Sequence, residues 1–353
     1  MGKDGSVEEY RENLRKKYIF ILGSSIGLFF LFLVSISIGP SNISFTEIFS
    51  TMIGDGTSQS ERILWNIRFP RVAAAVVAGS GLAVAGTAMQ SILRNPLGSP
   101  YTLGISHAAA FGAAFAIIML GGEIGEGFIL GSVLNNPYVV SLVAFLCSLS
   151  SALIILVLAR WKSATPATMV LTGIALGSLF TSGYTAIQYF ASQTELSAIV
   201  FWTFGDLSRA TWGDIGFMTV AVILVVGYFV YRSWDLNVLD SGDESARSLG
   251  VNVESIRMRG MVFSCFVTAL IVSFVGIIGF VGLVVPHIVR KAIGSNEIYL
   301  IPASCIFGSA LLVASDTAAR TVLSPEVLPV GILTSFFGAP LFIYLVIRGR
   351  DYW

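Results

Sequence analysis

Eight apolar runs of about 20 residues occupy positions 18–39, 72–93, 102–121, 138–159, 168–191, 213–231, 299–319 and 329–347. A hydrocarbon core about 30 Å thick is crossed by about 20 helical residues, and without water every backbone amide must bond inside its own segment. Each run therefore reads as a membrane-crossing helix, and the fold class as an all-α, polytopic bundle. With 55% hydrophobic and only 12% charged residues, too little polar surface is left to solvate a 353-residue globule in water.

The stretch from Arg259 to Val289 is too long for one crossing, since its 31 residues would make a helix about 46 Å long. Gly276, Gly279, Gly282 and Pro286 supply a break, so one full span is followed by a short returning one that ends at Arg290 and Lys291. The expected total is ten transmembrane helices, with a short broken helix near 280–290. Ten crossings put the Arg11, Arg15, Lys16, Lys17 cluster and Arg348 and Arg350 on one side, which the positive-inside rule makes cytoplasmic. Sixteen of the 21 Lys and Arg residues then lie inside, and the five outside, Arg62, Arg68, Arg71, Arg209 and Arg320, are all arginine. A lysine-free outer face carrying fork-shaped cations suits the recognition of carboxylates.

Residues 1–17 read as a cytoplasmic N-terminal tail and 18–353 as a single membrane domain. The first apolar run is too long for a signal-peptide core, so it is expected to be retained. Small residues at helical spacing, such as Ala75, Gly79 and Ala83, or Gly173 and Gly177, allow close helix approach where lipid supplies no hydrophobic drive.

Little in the chain offers covalent chemistry. None of its five lysines stands in a phosphate-loop context, so ATP must be hydrolysed on another chain. His107 and His287 have no metal-ligand companions, and Cys147, Cys265 and Cys305 sit singly in apolar runs as packing residues. Zero formal net charge excludes a basic nucleic-acid face. Asp316 is the one carboxylate deep within an apolar run, Asp214 standing at the edge of another. With Arg320 one turn later it reads as a self-neutralising pair more readily than as the ion site a secondary transporter would need.

The polar segment Ser233–Arg257 carries helix punctuation that an ordinary loop would not require. Two short helices are expected, with Gly250 at the left-handed position after the first, Asn252 capping the second and Glu254 in its first turn. Such a segment reads as a lever for a cytoplasmic partner, a demand that a passive channel would not make.

Several ordered stretches together resemble the permease subunits of ABC importers for iron-siderophores, haem and vitamin B12, the FecCD/BtuC type. They are Arg68-Phe-Pro-Arg71, Asn95-Pro-Leu-Gly-Ser-Pro-Tyr101 with Leu103-Gly-Ile-Ser106, Leu249-Gly-Val251, Gly279-Phe-Val-Gly-Leu-Val-Val-Pro-His-Ile-Val-Arg290, Asp316-Thr-Ala-Ala-Arg320, and Leu328-Pro-Val-Gly-Ile-Leu-Thr334 with Gly338-Ala-Pro340. The resemblance implies a non-enzymatic subunit of the bacterial or archaeal cytoplasmic membrane, both termini cytoplasmic. It implies a second permease copy or paralogue, an ABC ATPase dimer below that binds ATP and Mg, an extracytoplasmic substrate-binding protein above, and no cofactor on this chain. An iron-siderophore chelate is the expected cargo, with vitamin B12 or haem as the alternative.

The same resemblance assigns docking of the binding protein to Arg68, Arg71 and Arg320, and Arg71 is expected to face water at a helix end. It assigns coupling to the ATPase to Arg247, Leu249, Gly250, Val251 and Arg257, in coupling helices spanning about 241–257. Inner gate loops fall at Asn95, Pro96, Leu97, Gly98 and Ser99 and around Thr165, in the stretch Trp161–Pro166. Ser99 departs from the pattern, because many relatives carry an acidic residue there.

Overall fold

A computed structural model describes residues 3–39, 45–120, 137–162 and 165–348. Among these residues all regular structure is helical. The helices are α1 (Lys3–Ser37), α2 (Phe45–Ile53), α3 (Ser58–Ile63), α4 (Phe69–Leu93) and α5 (Ile105–Phe115). Then follow α6 (Pro137–Lys162), α7 (Pro166–Phe190), α8 (Gln193–Thr203), α9 (Trp212–Tyr231) and α10 (Ser233–Asp240). The chain finishes with α11 (Asp243–Ser248), α12 (Val253–Val275), α13 (Val281–Ile293), α14 (Glu297–Thr321) and α15 (Val330–Arg348).

Seven helical stretches among the described residues are long and apolar enough to cross a bilayer: 11–37, 58–93, 138–161, 166–190, 212–231, 253–275 and 297–321. The expected spans at 102–121 and 329–347 appear as shorter apolar helices, Ile105–Met119 and Val330–Tyr344. The first is short because Gly104, at φ 78°, starts it late.

α4 is the central element. It is buried along almost its whole length, and the Ala and Gly residues along its middle let neighbouring backbones close on it from several sides. A Cβ placed on Gly79 would collide with the carbonyl of Gly308 in α14, and one on Gly86 with the carbonyl of Gly282 in α13. Ser309 Oγ donates to the Val76 carbonyl at 2.8 Å, tying α14 to α4 where the backbones meet. The Gly173 contact seen in the sequence is also real, since a Cβ there would lie 2.6 Å from Leu103 Cα.

Residues 3–17, expected to lie outside the membrane, are helical and continuous with the first span in α1, a run of Glu, Lys and Arg supported by the Glu12–Lys16 pair at 3.2 Å. Two expectations are corrected. First, the segment after Gly250 is not a short helix. Asn252 caps α12 itself, so the lever and the span are one 23-residue helix that starts six residues before Arg259. Secondly, α12 stops at Gly276, at φ 77°, and the chain turns back over residues 277–280, but Pro286 lies inside α13 and breaks nothing. Pro286 has no N–H for the Gly282 carbonyl one turn earlier, and this is the carbonyl against which Gly86 packs. Part of the loop expected to form an inner gate, residues 163–164, lies outside the described residues, as does Arg350.

Candidate functional site

Because α4 and α14 run antiparallel, their ends bring together two polar clusters at opposite ends of the bundle. At the first, α1 stops at Ser37, leaving its last carbonyls without helical partners. Arg68 Nη1 donates to the carbonyls of Ile36 at 2.7 Å and Ser37 at 3.0 Å. Arg320 donates to the carbonyls of Ile38 at 2.8 Å and Ser35 at 3.0 Å, and to Ser35 Oγ at 2.6 Å. Two guanidiniums thus cap the negative end of one helix dipole. Arg71 Nε and Arg320 Nε then take the two oxygens of Asp316 at 2.9 and 3.0 Å.

Local backbone geometry aims these groups. Ahead of α4, residues 64–68 form one π-type turn in which the Phe69 N–H reaches back to the Leu64 carbonyl. The extra residue rotates Arg68 toward the α1 terminus while Arg71 faces α14. Arg68, Arg71 and Arg320 are 3%, 7% and 4% exposed, which corrects the expectation that Arg71 faces water. They are buried because α1 and α14 supply acceptors that would otherwise be orphaned. Arg71 Nη2 alone lacks a hydrogen-bond acceptor, the nearest carboxylate being Asp206 at 3.7 Å. Of the five arginines at this end, Arg62 and Arg209 are the exposed ones, Arg209 standing over the Trp202 ring.

At the other end lie the residues expected to couple and to gate. α11 ends in the hydrogen-bond pattern that left-handed Gly250 permits: Gly250 N–H to the Arg247 carbonyl, and Val251 N–H to that of Ala246, both at 3.0 Å. Asn252 Oδ1 accepts from Ser255 N–H at 3.0 Å, so helix end and helix start are stapled over four residues. This geometry thrusts Leu249 outward, 68% exposed, where an apolar side chain is otherwise unexplained in water.

The loop after α4 is held as firmly. Asn95 Oδ1 accepts from the Leu97 N–H at 2.9 Å, and Ser99 and Thr102 exchange side-chain-to-backbone bonds at 3.1 and 3.2 Å. Ser99 is buried and acts as an acceptor, a task that the carboxylate of an acidic residue can also perform. Thr165 caps α7 by accepting from Thr168 N–H at 3.3 Å.

Asp243, which the sequence reading did not single out, joins the gate loop to the lever. Its carboxylate takes Arg257 Nη2 at 3.1 and 3.2 Å and lies 3.6 Å from Arg94, the residue before Asn95. Arg257 also donates from Nε to the Ile92 carbonyl at the end of α4. Arg247, Arg257 and Met169 of α7 meet around a cavity of about 130 Å³, so the α7 start abuts the same joint. A second missed residue is Glu297, fully buried at the start of α14. It accepts from Ser91 Oγ, pairs with Arg290 at 3.6 Å, and its backbone N–H donates to Asn237 at 2.7 Å. Its only sequence signal was an acidic residue beside Asn296 at a helix start.

Among the described residues no group of three or more His, Cys, Asp or Glu could hold a metal ion. Neither cluster pairs a nucleophile with a base, and the chemistry available at both is recognition and movement.

Residues 27–348 match the model of the FecCD transport family. A protein of Methanocaldococcus jannaschii, named as an ABC transporter permease, is 48% identical over 97% of both chains. The hemin transport system permease protein HmuU of Yersinia pestis is 35% identical, covering 92% of this chain and 96% of its own. The vitamin B12 import system permease protein BtuC of Vibrio vulnificus is 34% identical over 86% and 88%. Among solved structures, an ABC transporter described as of the metal-chelate type, in an inward-facing conformation, superposes with a TM-score of 0.81 at 28% identity. The match covers 93% of this chain and 98% of that one.

Proposed function

Because the chain belongs to the FecCD transport family and is an ABC importer permease rather than an enzyme, we propose that it moves an iron-siderophore chelate into the cytoplasm. It works as one of two permease subunits. An ATPase dimer that binds ATP and Mg drives it, and an extracytoplasmic binding protein feeds it. Helices 105–119, 281–293 and 330–344 complete ten crossings, with both termini cytoplasmic.

The observation that carries this reading is the Asp243 joint. A lever is useful only if it is fastened to what it moves, and here one carboxylate fastens α11 and α12 to the gate loop at Arg94. Leu249 presents the exposed apolar knob for a cleft in the ATPase. Closure of the nucleotide-bound dimer would turn α12 as a rigid rod, because lever and span are continuous. At the opposite end, acidic lobes of the binding protein would meet Arg62 and Arg209 first. Arg68, Arg71 and Arg320 lie beneath as a positive reserve, Arg71 Nη2 being the donor that awaits an acceptor.

Support for an iron chelate comes from relatives named for Fe(3+)-citrate import, at 33% and 32% identity. The haem reading stands second, favoured by the 35% relative named for hemin. Proteoliposomes holding this chain with its ATPase and binding protein should accumulate radiolabelled ferric siderophore only with ATP inside, and an uncoupler should leave the uptake intact. Uptake of haem but not of ferric chelate would replace the cargo. Accumulation that follows a proton gradient at constant ATP would overturn the mechanism.

A further inference from the structure

Beside the joint, but outside it, α6 leaves the membrane next to the first turns of α12 and leaves a groove of about 630 Å³. Along α6, Leu153, Val157 and Arg160 follow one another at helical spacing on a single stripe. Leu153 is 61% and Val157 54% exposed, as side chains facing lipid must be. Across the groove α12 repeats the pattern with Val262 and Arg259, three residues apart and so on one face. Each wall is therefore apolar toward the membrane and ends in a guanidinium toward the cytoplasmic end. Both arginines are exposed, and neither makes an ion pair among the described residues. Arg257 differs, since Asp243 holds it. Glu254 lines the same groove and offsets one of the two positive charges.

The depth of the groove is marked independently. Trp161, the residue after Arg160, is 83% exposed, and Tyr231 at the end of α9 and Trp234 in the first turn of α10 are 78% and 68% exposed. Large amphipathic rings exposed at the ends of membrane-crossing helices suit a membrane interface. Arg160 adjoins one such ring and Arg259 lines the groove opposite it, an arrangement suited to the phosphate groups of the inner leaflet with the aliphatic stripe running toward the acyl region.

We propose that this groove is a binding site for an anionic phospholipid. Its phosphate sits between Arg160 and Arg259 and one acyl chain lies along Leu153, Val157 and Val262. Basic pockets between spans on the cytoplasmic side are suited to such headgroups. Because α12 carries the lever, the lipid would brace the first turns of the helix that the ATPase is proposed to turn. The lipid site itself requires only that α6 and α12 cross the membrane, so it stands or falls separately from the cargo and the energy source.

The full-length chain, purified in micelles holding equal amounts of phosphatidylglycerol and phosphatidylcholine with matched acyl chains, is examined by native mass spectrometry for retained lipid. Two arginines opposed by one glutamate set the expected preference for phosphatidylglycerol at about fivefold. The Arg160→Gln/Arg259→Gln pair should abolish it, because Glu254 then stands unopposed and phosphatidylglycerol is retained no better than phosphatidylcholine, with the melting temperature unchanged. Arg160→Lys/Arg259→Lys should keep the preference, since a lysine still attracts phosphate as a point charge. Inorganic phosphate at millimolar concentration should not displace the lipid. Three results overturn the proposal: no preference in the wild-type chain, a preference that survives the double Gln variant, or displacement by free phosphate. Loss of the preference when the ATPase binds would also overturn it, because the arginines would then belong to a protein interface.

Discussion

Asp316→Asn removes a charge while keeping the shape of the side chain, and it tests what the buried arginines do. In the structure Asp316 is fully buried and shared by Arg71 and Arg320, so its single negative charge is divided between two guanidiniums through bonds of 2.9 and 3.0 Å. The asparagine keeps one acceptor and turns the other contact into one between donors. Breaking a buried ion pair by removing one partner costs about 3–5 kcal/mol, because the remaining charge is left uncompensated. Arg320 retains the α1 carbonyls, which places the expected loss at the lower end, about 3 kcal/mol. With an unfolding entropy of about 2.1 cal/mol/K per residue over 353 residues, that loss lowers the melting temperature by roughly 4 °C. Thermal unfolding of the purified protein in one detergent, followed by tryptophan fluorescence, measures it. Pairing the change with Arg71→Gln should recover about half, since one unpaired cation then disappears. A variant that melts within 1 °C of wild type would refute the structural role of the cluster. It would return Arg71 and Arg320 to docking alone.

Gly250→Val should lower the melting temperature by only about 1–3 °C. A Cβ there meets nothing within 4 Å, and only the positive φ of 83° is penalised, by about 1–2 kcal/mol. Uptake per ATP hydrolysed should nevertheless fall several-fold in the reconstituted complex, and an unchanged ratio would remove the lever argument. Gly86→Val should abolish a monodisperse protein in size-exclusion chromatography, since its side chain would occupy the space of the Gly282 carbonyl. Glu297→Gln should destabilise the fold by about 3 kcal/mol by leaving Arg290 without its carboxylate. The same thermal assay reads it, and a neutral result would show that Gln90, which Arg290 also contacts at 3.0 Å, suffices.

What the sequence revealed and what it hid divide along a physical line. Local geometry was legible: the turn at Gly250, the cap at Asn252 and the break at Gly276 each follow from conformations that one or two residues prefer, with no knowledge of the rest of the chain. Helix existence was legible for the same reason, because a run of apolar residues in lipid satisfies its own backbone. Helix extent was not. α12 begins in polar sequence because Asn252 supplies a start, and residues 3–17 join α1 because charged residues with long side chains are good helix formers, so hydropathy misplaces both boundaries.

The site divides in the same way. Arg68, Arg71 and Arg320 were found because of their residue type and motif, yet their burial was not foreseen. That gap has a definite source. Whether an arginine at a helix end faces water depends on whether another helix terminates beside it, and α1 ends 31 residues before Arg68 in the chain but within hydrogen-bond reach in space. Asp243 and Glu297 were missed for the complementary reason. Each stands in polar sequence at a helix start with no charge partner nearby in a readable pattern, and only antiparallel packing of α4 against α14 and the placement of α12 bring Arg94, Arg257, Ser91 and Arg290 to them. Long-range charge pairing is therefore the part of such a permease that sequence conceals. Here it joins the gate loop to the lever at one end and binds three helices together at the other.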